Sequence, residues 1–137
     1  MVRLISDCEF FRWHDTGDVY DEAYWHRIVS ICEQTPDTKH WLPTKEYWIA
    51  KKDWPDNLCV RFSAPFVGSL QAEVDRLQGM FGCISTVSIW DNGRPSAGCR
   101  ASHIESRSGK GKALACVDCR DCWGVSVPVV DYNLHGK

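Results

Sequence analysis

Long apolar runs are missing from this chain. No stretch of its 137 residues approaches the roughly 18 consecutive apolar positions that a membrane-crossing helix requires. The first seven residues, Met1 to Asp7, carry charge at Arg3 and Asp7 where an export signal needs an unbroken apolar segment, so the expectation is a protein that stays in the cytosol, without membrane partners. Glycine and proline are sparse, at ten and six residues, which argues against fibrous or low-complexity character. Net charge is also scarce: 16 Lys and Arg against 18 Asp and Glu leave −2, too little to steer the whole molecule toward nucleic acid or an anionic membrane. Any such binding has to be local.

Two residue classes are plentiful instead. Eight cysteines in a chain expected in a reducing compartment point to metal ligation before a disulfide framework. Seven Trp, five Phe and four Tyr supply large contact areas, for a core or for a partner. With 44% hydrophobic and 25% charged residues, the length fits one domain with a core of its own.

The apolar pattern predicts an α/β order over the first ninety residues. A short aromatic strand lies within Asp7–Trp13, and a helix with apolar Tyr24, Ile28, Ile31 and Cys32 starts at an Asp21 cap and stops at Thr35-Pro36-Asp37. His40-Trp41-Leu42 reads as a second strand cut off by Pro43, with Thr44 capping a short helix through Glu46 to Ile49. Leu58–Phe62 is a third strand. Ser69 opens a helix with Leu70, Val74, Leu77 and Phe81 on one face, Gly82 ends it, and Cys83–Trp90 is a fourth strand. Strands alternating with helical stretches imply an incomplete, half-barrel-like, mainly parallel sheet with flanking helices. Its core is expected from Phe11, Trp13, Ile28, Ile31, Leu42, Val60, Phe62, Val74, Leu77, Ile84, Val87 and Ile89. Residues 91–137 then read as a loop-rich appendage of the same domain, short of apolar surface and in need of another source of order.

Cysteine spacing offers that source. Cys116, Cys119 and Cys122 recur every third residue, and Cys99 lies seventeen residues upstream of the first. Such a set can place thiolates around one ion and order the loop region, with His103 as a substitute ligand. Zinc is the expected metal. A [4Fe–4S] cluster, which favours a tripled Cys-x-x-Cys run plus a remote cysteine, is the alternative. Cys8, Cys32, Cys59 and Cys83 sit singly in apolar segments and are expected to be small core residues.

Other sites are less specific. At the expected carboxyl ends of strands lie His14, Asp18 and Lys45, able to do acid–base work or, more simply, to hydrogen-bond the turn before the first helix. Trp48, Trp54, Trp90 and Trp123 are candidates for a partner-binding hot spot. Arg94, Arg100, Arg107, Lys110 and Lys112 make residues 94–112 locally basic, which would suit nucleic acid.

The runs Phe11-Arg12-Trp13-His14-Asp15-Thr16-Gly17-Asp18, Thr35 to Tyr47, and Cys116-Val117-Asp118-Cys119-Arg120-Asp121-Cys122-Trp123 resemble the bacteriophage gene-product-88-like proteins. The similarity runs from about Phe10 to His135. The resemblance implies phage origin, a barrel of the radical-SAM type and a cysteine cluster at the carboxyl end. This sequence keeps that second cluster, whereas Cys8 is its only cysteine before the first helix, so the three ligands of a SAM-binding cluster are not found there. The expectation is therefore a phage-encoded metal-binding protein in the cytoplasm of an infected bacterium. It would act as a binding or inhibitory module on a host protein or protein–nucleic acid complex, for example against CRISPR immunity. An iron–sulfur or radical-SAM-like enzyme fragment needing a partner and a nucleic-acid-binding protein are the alternatives.

Overall fold

The computed structural model describes residues 1–68, 71–88, 98–99 and 119–134. Five strands form one sheet in the order of the chain, every neighbouring pair parallel: β1 (Phe10–Arg12), β2 (Lys39–Thr44), β3 (Leu58–Val67), β4 (Ile84–Ser88) and β5 (Val129–Asn133). This is the half-barrel order. One short helix, α1 (Val2–Ile5), precedes the sheet, while α2 (Glu22–Gln34) links β1 to β2 and α3 (Gln71–Phe81) links β3 to β4.

Local chemistry sets these elements. The Asp21 carboxylate accepts from the Tyr24 N–H at 2.6 Å, capping α2 at the residue the sequence designates. Gly82, at φ +76°, donates its N–H to the Gln78 carbonyl and ends α3 in the left-handed cap that glycine adopts without strain.

Pro43 does not cut β2 off, because the strand runs on to Thr44. The Trp41 carbonyl accepts from the Trp13 N–H, so Trp41 faces β1, and position 43 faces the same side. Pairing with β1 stops at Arg12 and Trp41, so the N–H that proline lacks would have met no strand there. The stretch after β2 is a 3-10 helix, Tyr47–Lys51, with Glu46 before it in place of the expected Thr44 cap. The larger correction concerns the carboxyl-terminal third: Val129–Asn133 leaves the supposed appendage to become the fifth strand.

Alternation divides the sheet into two faces. Leu58, Val60 and Phe62 of β3, with Leu42 and Ile84, pack against Trp25, Ile28 and Cys32 of α2 and Val74 and Leu77 of α3. Each such side chain stabilises the fold by about 1.5–3 kcal/mol on burial. Phe11, Ile31 and Val87 are only partly buried, and Ile89 lies outside the described residues. The opposite face carries Trp41, Cys59, Arg61, Ser63 and Val130. A second 3-10 helix, Asp121–Trp123, packs against β2 and β3, and Cys122 and Trp123 join Trp41 and Val130 in a smaller apolar cluster.

Candidate functional site

The polar group at the carboxyl ends of β1 and β2 assembles around Asp18. One carboxylate oxygen accepts from the Val19 N–H at 2.8 Å and the Thr44 hydroxyl at 2.5 Å, and the other accepts from the Lys45 N–H at 2.7 Å. Lys45 therefore takes part through its backbone, with its side chain exposed. His14, at φ +56°, turns its Nε2 to the Tyr24 hydroxyl at 2.9 Å, while its Nδ1 is buried without a partner. Burial holds this imidazole below its ordinary value, opposed in part by the Asp18 charge. Asp18 thus fastens the loop after β1 to the end of β2. Beside it, Tyr20, Asp21, Glu22, Trp48, Lys51 and Lys52 line an open cleft of about 400 Å³.

The expected hot-spot tryptophans are largely engaged within the fold. Trp48 donates to Glu46 at 3.0 Å, Trp54 meets Trp25 edge to face at 6.0 Å, and Trp123 donates to the Phe11 carbonyl at 3.0 Å while meeting Trp41 at 5.1 Å. All three are half-buried, and Trp90 lies outside the described residues.

Of the four expected metal ligands, the fold brings two together. Cys99 and Cys122 pack in the cluster with Trp41 and Val130, and the Cys122 sulfur lies 3.3 Å from the Tyr132 hydroxyl. Burial and these two neighbouring thiols push the Tyr132 phenol well above its usual range. Cys99 reaches this position because its N–H donates to the Asp131 carbonyl at 2.7 Å, alongside the Gly98–Asp131 bridge that extends the sheet. Cys119 is half-buried. Among the described residues no group of three or more His, Cys, Asp or Glu side chains is arranged to hold a metal ion. Cys116, His103 and the basic residues Arg94, Arg100, Arg107, Lys110 and Lys112 lie outside the described residues. Of the four single cysteines, Cys32, Cys59 and Cys83 are buried as expected. Cys8 is exposed, because α1 ends just before it and leaves it at the surface.

Sequence reasoning missed Arg61. It is fully buried on β3, donating to the carbonyls of Ile84, Pro128, Asp121, Gly124 and Val127 at 2.9–3.3 Å. An arginine inside an apolar strand was the available signal. Asp131 was missed too: buried on β5, it accepts from Thr86 at 2.6 Å and from Ser88.

Residues 3–124 match a family model described as GP88, gene product 88. No curated protein and no solved structure matches the chain. No helix among the described residues is long and apolar enough to cross a membrane.

Proposed function

The chain belongs to the gene product 88 family, and from that premise we propose a phage-encoded, metal-stabilised binding protein that acts on a host macromolecule in the cytoplasm of an infected bacterium. One observation carries the metal part: Cys99 and Cys122, 23 residues apart in the chain, pack in one apolar cluster with Tyr132. The donor set is made of soft thiols, which suits zinc and, as the alternative, a [4Fe–4S] cluster. Cys119 stands one knuckle spacing from Cys122, and Cys116 completes the four by sequence spacing. In this reading the metal holds the connection between β4 and β5 closed, and the chain's own groups, Arg61 and Tyr132, fix the segment that presents Cys122.

The binding part rests on the polar site at the strand ends. Asp18 is spent on fastening a loop, and His14 faces a tyrosine hydroxyl in place of a nucleophile. The exposed Tyr20 and the half-buried Trp48 flank the cleft beside it, giving an aromatic contact surface at the end of the sheet where α/β proteins place their ligands. Inhibition of a host defence such as CRISPR immunity is the concrete version.

Metal analysis of protein purified both anaerobically and in air tests the first part, with one zinc per chain expected in both preparations. Iron and inorganic sulfide in the anaerobic preparation alone would replace zinc by the cluster, and neither metal would overturn the site. For the second part, the gene is expressed in a bacterium whose CRISPR system restricts a targeted phage. Plaque formation should rise, and unchanged restriction would overturn the anti-defence version.

A further inference from the structure

Beyond the tail thiols, the sheet face opposite the helices holds a second sulfur pair. In the β3–β4 register Phe62 stands beside Ile84, so Arg61 stands beside Cys83, and Cys59 lies two residues back on the same face of β3. Cys59 and Cys83 are 3% and 7% exposed, and both are free thiols. The two thiols act on each other across the strands, and the Arg61 Nη2 lies 4.0 Å from the Cys59 sulfur.

Arg61 makes this more than two packed cysteines. The guanidinium is 0% exposed, its side-chain bonds run to neutral carbonyl oxygens and to the Cys59 sulfur, and it belongs to none of the ion pairs found among the described residues. Burying a cation without a counter-charge costs several kcal/mol. The ionisable groups that act on it are these thiols and, on β5, the Tyr132 phenol, which burial keeps neutral, so a thiolate at Cys83 would supply the missing charge. The neighbouring Cys59 and the Arg61 charge both favour that thiolate and hold the Cys83 thiol below its ordinary range, against the opposing effect of burial.

We propose that Cys83, with Arg61 as its counter-charge and Cys59 as its resolving partner, is a peroxide-reactive thiol whose oxidation closes a disulfide between β3 and the residue preceding β4. The Cys83 thiolate attacks one oxygen of hydrogen peroxide. An S–O bond forms, the O–O bond breaks, and the departing hydroxide combines with the proton that Cys83 released on ionising to leave as water, with a sulfenic acid at Cys83. The Cys59 sulfur then attacks the Cys83 sulfur, the S–S bond forms, and the S–O bond breaks. Hydroxide leaves with the proton from Cys59 as water. Two thiols and one peroxide become one disulfide and two waters; the sulfurs lose two electrons and the peroxide gains them. Closure removes the thiolate beside Arg61, leaving the guanidinium that fastens residues 121–128 without its counter-charge. The pair is distinct from Cys99, Cys116, Cys119 and Cys122, so this inference does not depend on the metal reading.

The test uses the full chain, reduced and freed of reductant without oxygen, with one equivalent of hydrogen peroxide and disulfide mapping by mass spectrometry. A Cys59–Cys83 linkage is expected as the main product. Cys59→Ser should stop at a sulfenic acid on Cys83, trapped by a cyclic diketone probe. Cys83→Ser should lose the fast phase of thiol consumption, slowing it by about tenfold or more. Both variants are near-isosteric, and circular dichroism confirms their fold. Oxidation confined to the carboxyl-terminal cysteines, with Cys59 and Cys83 still reduced, would overturn the proposal. So would a Cys83→Ser protein that reacts as fast as the native one.

Discussion

Arg61 and Val127 lie 66 residues apart in the chain, yet the guanidinium of one donates to the carbonyl of the other at 2.9 Å. Together with the bonds to Asp121, Gly124 and Pro128, this contact fastens residues 121–128 over the second face of the sheet, where Cys122, Trp123 and Val127 pack with Trp41 and Val130. Replacing Arg61 by Met should therefore leave several buried carbonyls without donors and cost about 3 kcal/mol or more. Urea unfolding measures the loss, and hydrogen exchange should show the amides of residues 121–128 opening first. A variant as stable as the native protein would show that the guanidinium does not hold this segment.

A second clamp sits at the other end of the strands. Asp18→Ala removes the acceptor for the Thr44 hydroxyl and for the Val19 and Lys45 N–H groups. Bonds to a charged acceptor on a half-buried site are worth more than neutral ones, so a loss of about 2 kcal/mol is expected, with Asp18→Asn losing roughly half as much. Thermal melts of the two variants give the order. Equal stability of native and alanine forms would show that Asp18 does not fasten the loop.

The sequence exposed the elements that follow a single period and hid those that depend on distant partners. Asp21, the 3.6-residue spacing of α2 and α3, and Gly82 act within a few residues, so three of the helix ends and the first four strands were legible. The fifth strand was not. Asp131 and Asn133 interrupt Val129-Val130-Asp131-Tyr132-Asn133, where a buried parallel strand usually reads as a continuous apolar run. Asp131 is tolerated there because Thr86 and Ser88, on the neighbouring strand, donate to it. Arg61 was hidden for the same reason, since its acceptors follow it by up to 67 residues. At the candidate site, sequence spacing named Cys99 and Cys122, which pack on one apolar cluster, but it could not reveal Tyr132 beside the Cys122 sulfur.

A pH dependence follows from His40. Its ring is fully buried against Trp13 and Phe11, with Nε2 at 2.9 Å from the Thr35 hydroxyl and Nδ1 buried without a partner. Burial lowers its proton affinity from the ordinary value of 6.5, opposed weakly by Thr35. The unfolded chain therefore binds the proton more readily than the folded one. The stabilising contribution is complete above pH 6.5 and is lost as the pH falls from there through the depressed folded value. His14, shifted in the same direction by burial, adds to the slope. Melting temperature should fall between pH 7.5 and pH 5, and His40→Gln should flatten part of that fall. An unchanged slope in the variant would assign the acid sensitivity elsewhere.

Tyr132 separates a packed thiol from a metal-bound one. Its hydroxyl lies 3.3 Å from the Cys122 sulfur, so on the proposed metal site it is the outer partner that orients a ligand. Tyr132→Phe keeps the ring packed beside Trp41 and Val130 and removes only the hydroxyl. Under the metal reading, the variant should fold, bind zinc, and lose it to a chelating dye at about 10–100-fold lower competitor concentration, the usual effect of losing such a partner. Cys122→Ser should abolish stoichiometric zinc altogether. If Cys122 is only a core thiol, Tyr132→Phe should cost about 1 kcal/mol in urea unfolding and leave metal retention untouched, and that result would remove Cys122 from the ligand set.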